Sequence, residues 1–162
     1  MTSPTRVGIG YDIHRLVAGR RLVLAGVEVP HTLGALAHSD GDVVFHAVAD
    51  AMLGAAGMGD LGEHFPDTDP AWKDADSADI LDRVYQMIKA AGWEVVNVDV
   101  NILLEKPKLA PHKRQMRARL YELLWTKSPS DVNVKARTME GLGPIGAGEA
   151  VAAQAVVMLC HI

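Results

Sequence analysis

At 162 residues, with 49% hydrophobic and 22% charged side chains, the chain has the length and composition of one globular domain with a sizeable core, and not of a disordered segment. A formal charge of −4 excludes a general basic face for nucleic acid and a polybasic membrane patch, so an anionic substrate has to be met locally, by a metal ion, a helix N-terminus or a few placed cations. The single cysteine, Cys160, excludes an internal disulfide framework and an all-cysteine zinc site. The opening MTSPTRVGIG has no apolar leader-like stretch and no run approaches a membrane span, so a reducing, cytoplasmic compartment is the expectation.

RVGIGYDI (6–13) and RLVLAGVEV (21–29) are expected as two strands, with the turn VAGR between them and Pro30 closing the second. The glycines of GIG make no dinucleotide fingerprint, because a hairpin follows where a helix should open. A helix over about 41–56 comes next, with Ser39 or Asp40 as its N-cap. It is apolar on most sides, yet Asp42, His46 and Asp50 recur at a spacing of four and line one face. MGDLGEHFPDTDPAWKDADS (58–77) is rich in Gly, Pro and Asp and too long for a silent connector, which marks it as a functional loop. A second helix is expected from an N-cap at Ser77, with Ile80, Leu81, Val84, Ile88 and Ala91 at helical spacing and Gly92 at its C-terminus. VVNVDVNILLE (95–105) alternates as a strand, with Val96, Val98, Val100 and Ile102 on one face. Pro111 opens a third helix with the stripe Met116, Leu120, Leu123 and Leu124. DVNVKART (131–138) is a strand, EGLGPIGAGE a glycine-rich loop and AVAAQAVVMLC the last strand. The order β-β-α-α-β-α-β-β predicts an α/β fold, more finely an α+β sandwich of one mixed sheet covered by about three helices, in a single domain over 1–162.

Asp12 and His14, two apart on a strand, point to one face, and a carboxylate beside an imidazole suits a borderline ion such as zinc. A solvated strand end is the plainer explanation of that pair. His46 supplies a third donor, and three protein ligands with an open fourth position is the composition of a catalytic zinc site. A core histidine bonded to a neighbouring carboxylate is the other reading of His46. Asp50, one helical turn on, is the acceptor expected to orient that ligand from behind. His38 and Ser39, beside exposed amides at a helix N-terminus, make a candidate phosphate site.

GYDIHR, AHSDGDVVFHAVADAMLGAAGMGDLGEHFPDTDP, PKLAPH, DVNVKA and the closing GEA together resemble the 2-C-methyl-D-erythritol 2,4-cyclodiphosphate synthase family, from about residue 6 to the C-terminus. The resemblance implies Asp12, His14 and His46 as zinc ligands, one ion per subunit. It also implies His38 and Thr138 as the catalytic groups that stabilise the transition state. Asp12, Ile13, His14, His38 and Ser39 are implied at the substrate phosphates. Asp60, Leu61 and Gly62, with Phe65, Pro66, Asp67, Thr68 and Asp69, are implied around the methylerythritol unit. A cytidine pocket of Leu104, Lys108, Leu109, Ala110, Arg137, Thr138, Met139 and Glu140 is implied, contributed by the adjacent subunit of a homotrimer whose sheets face the three-fold axis. Glu140 is also implied as ligand of a second divalent ion, magnesium or manganese, bridging the substrate diphosphate, as such a hard ion prefers oxygen.

The activity implied is cyclisation of 4-diphosphocytidyl-2-C-methylerythritol 2-phosphate with release of CMP, in the non-mevalonate isoprenoid pathway. The expected partners are that cytidine diphosphate-type molecule and further copies of the chain, with neither nucleic acid nor membrane. Many members of the family carry an aromatic residue and an arginine lining a trimer-axis cavity that can hold isoprenoid diphosphates, and Pro144 and Ala147 depart from that pattern here. Two other readings use the same metal residues: a zinc-dependent phosphoesterase that activates water, and a non-catalytic zinc or nucleotide binding module.

Overall fold

The computed structural model describes residues 4–162. Strand β1 (Thr5–Ala18) alternates Val7, Ile9, Tyr11 and Ile13 on one face with Gly8, Gly10, Asp12 and His14 on the other. Its length follows from pairing on both edges: with β7 (Ala150–His161) from Thr5↔Cys160 to Arg15↔Ala150, and with the short β4 (Leu33–Leu36) from Arg15↔Leu36 to Ala18↔Leu33. With β5 (Trp93–Leu103) and β6 (Val132–Arg137) these form one five-stranded mixed sheet in the order β4-β1-β7-β5-β6. Only β5 and β6 run parallel, and the helix α4 (Lys113–Leu124) lies in the crossover that a parallel pair requires. The fold class expected from the sequence is therefore observed.

Helix α1 (Val43–Ala56) packs across β1 and β7, and α3 (Ser77–Ala90) and α4 complete the cover over β5 and β6. Two four-residue helices, α2 (Leu61–His64) and α5 (Gly143–Gly146), sit in the loops. The core is the layer between sheet and helices, where Phe45, Met52, Leu53, Leu81, Ile88, Ile102, Met116 and Leu120 are buried almost completely. On the other face of the sheet Val7, Ile9, Tyr11, Ile13 and Val156 are each 41–64% exposed.

The glycines of GIG are packing residues. A Cβ at Gly8 would lie 1.9 Å from the Ala51 carbonyl oxygen, and one at Gly10 1.9 Å from that of Ala47. Helix backbone therefore rests directly on strand backbone, which any larger side chain would prevent.

Besides β4, α2 and α5, which the sequence expectation did not include, four local features differ from it. Residues 21–29 are a hairpin, β2 (Leu22–Leu24) and β3 (Val27–Val29), because Ala25 and Gly26 turn the chain with φ of 50° and 70°. Two successive positive φ values make a type I′ turn, and an alanine in its first position hides it from the usual Asn/Asp-Gly signal. The N-cap of α1 is neither Ser39 nor Asp40 but Asp42, whose Oδ1 accepts from Val44 N (3.1 Å), Phe45 N (3.2 Å) and Ala25 N (2.9 Å), while Oδ2 accepts from Gly26 N at 2.7 Å. Burial pushes this carboxyl up to about 6, against the pull of those amides. The cap of α3 is Asp76 rather than Ser77. A bulge between Val95 and Asn97 turns Val96 outward and leaves Val95, Val98, Val100 and Ile102 inside.

Gly10→Ala should lower the unfolding free energy by about 3 kcal/mol, since backbone must move to admit the methyl group. Urea denaturation of the metal-free protein measures this; a midpoint equal to wild type would show that helix and strand can separate without loss.

Candidate active site

β1 supplies Asp12 and His14, next in line after Gly8 and Gly10 on the helix face, and α1 brings His46 down onto them. His46 Nδ1 and His14 Nε2 each lie 3.0 Å from Asp12 Oδ2, with the two rings edge to face at 5.8 Å. One donor atom from each residue falls within 4.8 Å of the others. His14 Nε2 is buried and, for all its nearness to Asp12, has no hydrogen bond. A buried nitrogen without a partner, aimed where a carboxylate oxygen and a second imidazole nitrogen also point, fits a metal ligand better than it fits a solvated strand end. The donor set of one oxygen and two nitrogens suits zinc.

Charge holds this cluster together. Burial pushes the Asp12 carboxyl up, but the close approach and positive charge of His14 and His46 outweigh it and keep the group far below the usual carboxylate range. Burial also pushes His46 down, while the hydrogen bond to Asp12 and the charges of Asp12, Asp42 and Asp40 raise it above the ordinary 6.5. Behind the ring, His46 Nε2 lies 2.9 Å from Ser77 Oγ and 3.3 Å from Ser39 Oγ.

The cluster opens into a cleft of about 560 Å³. Of the residues named from the sequence, His38, Ser39, Asp60, Leu61, Gly62, Phe65 and Asp67 line it, and so do Asp50, Leu36, Ala37, Tyr11, Trp72 and Ile80. His38 Nε2 is buried there without a partner. Other expected residues stand elsewhere. Ile13 points its side chain to the opposite face of the sheet, because strand neighbours alternate. Pro66 and Thr68 ride on the loop without lining the cleft, and Asp69 is occupied capping the turn Pro70–Trp72 through Ala71 N. Asp50 does not orient His46: its Oδ1 accepts from Leu61 N at 2.9 Å and fastens the start of α2 to α1. The amides at the start of α1 are no phosphate site either, since Asp42 already holds them.

A second, smaller pocket of about 190 Å³ lies where β5 and β6 end. Leu104, Lys108, Leu109, Ala110, Arg137 and Thr138 line it as expected, together with Glu105, Pro107, Lys113 and Ala136. Met139 and Glu140 fall just beyond it: Met139 N donates to Glu105 Oε2 and Glu140 N to Thr138 Oγ1, with the Glu140 side chain exposed. The two pockets share no residue.

A profile of the YgbB family matches residues 5–160. The chain belongs to this family. Relatives in it named 2-C-methyl-D-erythritol 2,4-cyclodiphosphate synthase include that of Salinibacter ruber, 57% identical over 93% of this chain and 95% of its own, and that of Neisseria gonorrhoeae, 53% identical over 97% and 98%. A solved synthase of the same name in a CDP-bound form superposes with a TM-score of 0.87 at 40% identity, covering 95% of this chain and 99% of its own. The bifunctional IspDF of Campylobacter jejuni superposes with a TM-score of 0.94 at 40% identity, and there this chain, 99% of it covered, spans 43% of the longer protein.

In the metal-free protein the Asp12–His46 contact should stabilise the fold fully between the ordinary carboxylate pKa of 3.8 and the ordinary imidazole value of 6.5, where the unfolded chain carries both charges. Above 6.5 the unfolded imidazole is neutral while His46 keeps its proton, so stability should fall as pH rises toward the raised folded value. Unfolding free energies measured across pH 6 to 9 test this; His46→Gln should remove that slope, and a slope unchanged in the variant would assign it elsewhere.

Proposed function

We propose that this chain is a 2-C-methyl-D-erythritol 2,4-cyclodiphosphate synthase, a phosphorus–oxygen lyase of the non-mevalonate route to isoprenoid precursors. The observation that carries this is the Asp12/His14/His46 cluster in a cleft shared with His38, Ser39 and an acidic loop, in a chain 57% identical to a relative of that name. An oxygen of the substrate's 2-phosphate bonds to the β-phosphorus, the bond from that phosphorus to the α-phosphate oxygen breaks, and its electron pair leaves with CMP. A cyclic diphosphate remains and no water is consumed. A phosphoesterase has only the same metal ligands in its favour, while the relatives carry the cyclase name over almost their whole length.

The obstacles are repulsion between anions and the entropy of folding the substrate back on itself. Asp60 and Asp67 accept hydrogen bonds from the methylerythritol hydroxyls and fix that end. His38 gives its unpartnered Nε2 to a phosphate oxygen, and Ser39 stands beside it. Asp12, His14 and His46 would hold zinc, which when bound supplies a Lewis acid beside the phosphate under attack. Lys108, Lys113 and Arg137 give the second pocket the positive charge that a cytidine diphosphate needs, with Thr138 at its edge. Glu140 would be the oxygen donor for magnesium or manganese, a hard ion that when bound would offset charge on the substrate diphosphate.

A homotrimer completes the site. The helix-free sheet face, with Val7, Ile9, Tyr11, Ile13 and Val156 exposed, is the surface proposed to meet its copies about a three-fold axis. The metal cluster of one subunit then faces the cationic pocket of the next, which agrees with two pockets that share no residue. Among the described residues no helix is long and apolar enough to cross a membrane, and with Cys160 a free thiol the reducing cytoplasm is the proposed compartment.

Phosphorus NMR of the protein with the cytidyl substrate, zinc and magnesium should show a cyclic diphosphate and CMP; linear phosphates would establish hydrolysis instead. Ile9→Glu should convert the trimer to monomers in sedimentation velocity and reduce turnover at least 100-fold, a loss of about 2.7 kcal/mol of transition-state stabilisation, while zinc uptake persists. A monomeric variant of full activity would confine the site to one subunit.

A further inference from the structure

Ser77 is fully buried although it opens a helix, and its hydroxyl is not used as the cap, which Asp76 provides through Ala78 N at 2.8 Å. Instead Ser77 Oγ lies 2.9 Å from His46 Nε2 and also hydrogen-bonds to Asp40 Oδ1. Asp40 is held in turn by backbone: its Oδ2 accepts from Ser77 N and its Oδ1 from Asp42 N, both at 3.1 Å. Ser39 Oγ, the other neighbour of Nε2 at 3.3 Å, accepts from Gly41 N at 3.2 Å.

The direction of these bonds is determined by their ends. A carboxylate only accepts, so the Ser77 hydroxyl proton goes to Asp40. The serine oxygen then offers His46 a lone pair, and Nε2 has to carry the hydrogen. In the metal-free protein the protonated ring also donates Nδ1–H to Asp12 Oδ2 at 3.0 Å; when a metal ion takes the place of that proton, the neutral ring kept in the Nε2–H form has its lone pair on Nδ1. We infer that Asp40 and Ser77 form a relay that holds His46 as the Nε2–H tautomer and thereby presents Nδ1 as a metal ligand; both are positioning residues of the centre. A metal-bound histidine ordinarily donates its other ring N–H to a carboxylate, carbonyl or water. Here a serine stands between the two, reaching across from the start of α3, 31 residues further along the chain.

The inference rests on the metal reading of Asp12, His14 and His46, and the test separates the two. Zinc affinity of the purified protein is measured by competition with a colorimetric chelator, and the melting temperature of the metal-free protein is taken alongside. Ser77→Ala should bind zinc 10- to 100-fold more weakly than wild type, with metal-free melting close to wild type, and Ser77→Thr, which keeps the hydroxyl, should recover most of the affinity. Proton–nitrogen spectra of the zinc-loaded protein should show a slowly exchanging His46 Nε2–H that Ser77→Ala loses. Asp40→Asn, whose amide can donate to the serine and reverse the relay, should weaken zinc binding as well, and it carries the test should Ser77→Ala not fold. Wild-type zinc uptake with unchanged affinity in Ser77→Ala and Asp40→Asn overturns the relay alone. A wild-type protein that takes up no zinc overturns the metal reading and the relay with it.

Discussion

Everything at the metal cluster depends on the contact of two backbones. Gly8 and Gly10 let the Ala51 and Ala47 carbonyls come within 1.9 Å of where a Cβ would stand, so α1 lies on β1 with no side chain between them. The seam also sets a register. Two residues of strand advance about 6.6 Å and four residues of helix about 6 Å, so each step along the glycines matches one along the alanines. Carried one step past Gly10, the strand reaches Asp12, and the helix reaches the turn that bears His46. Their 3.0 Å contact is the continuation of the glycine–alanine seam by side chains that can bond. A bulkier spacer would leave the fold class intact and move one ligand away from the other two.

The ionisable stripe of α1 is tolerated because each member is satisfied differently. Asp42 takes four backbone amides and joins the helix start to the β2–β3 turn. His46 lies between Asp12 on one side and Ser77 with Ser39 on the other. Asp50 accepts the Leu61 amide. An unpaired polar group in this apolar layer would be destabilising by about 1–3 kcal/mol, so three unpaired groups would consume much of a domain's net stability. Spacing alone makes the three look equivalent, but one is a cap, one an anchor, and His46 is the one proposed as a metal ligand.

What was legible in the sequence followed from periodicity and from residue chemistry. The mixed sheet, the three long helices and the strand face shared by Asp12 and His14 all come from patterns of two and near four, which tertiary contacts reinforce. The misreadings have local causes. Ala25 in a left-handed turn carries no sequence mark, so a hairpin passed for a strand. The bulge at Val96 shifts the alternation by one residue without changing composition. Asp76 and Ser77 are both good caps, and only one is needed; that redundancy was the available hint that the serine had another use. The lining by Trp72 could not be read, because it sits in an irregular loop whose path no periodicity marks.

The loop between α1 and α3 is fastened at both ends to a single helix. It leaves through the Leu61 amide on Asp50 and returns through the Ser77 hydroxyl on His46, two positions one helical turn apart, about 6 Å. Its two feet are thus nearly as close as those of a hairpin, and their spacing is set by α1 alone. Such a loop behaves as a cassette: its interior can lengthen, shorten or change sequence while the separation of the feet, and the metal donors beneath them, stay as they are. Divergence toward a differently shaped polyol would have its easiest path there, between two anchors that need not move.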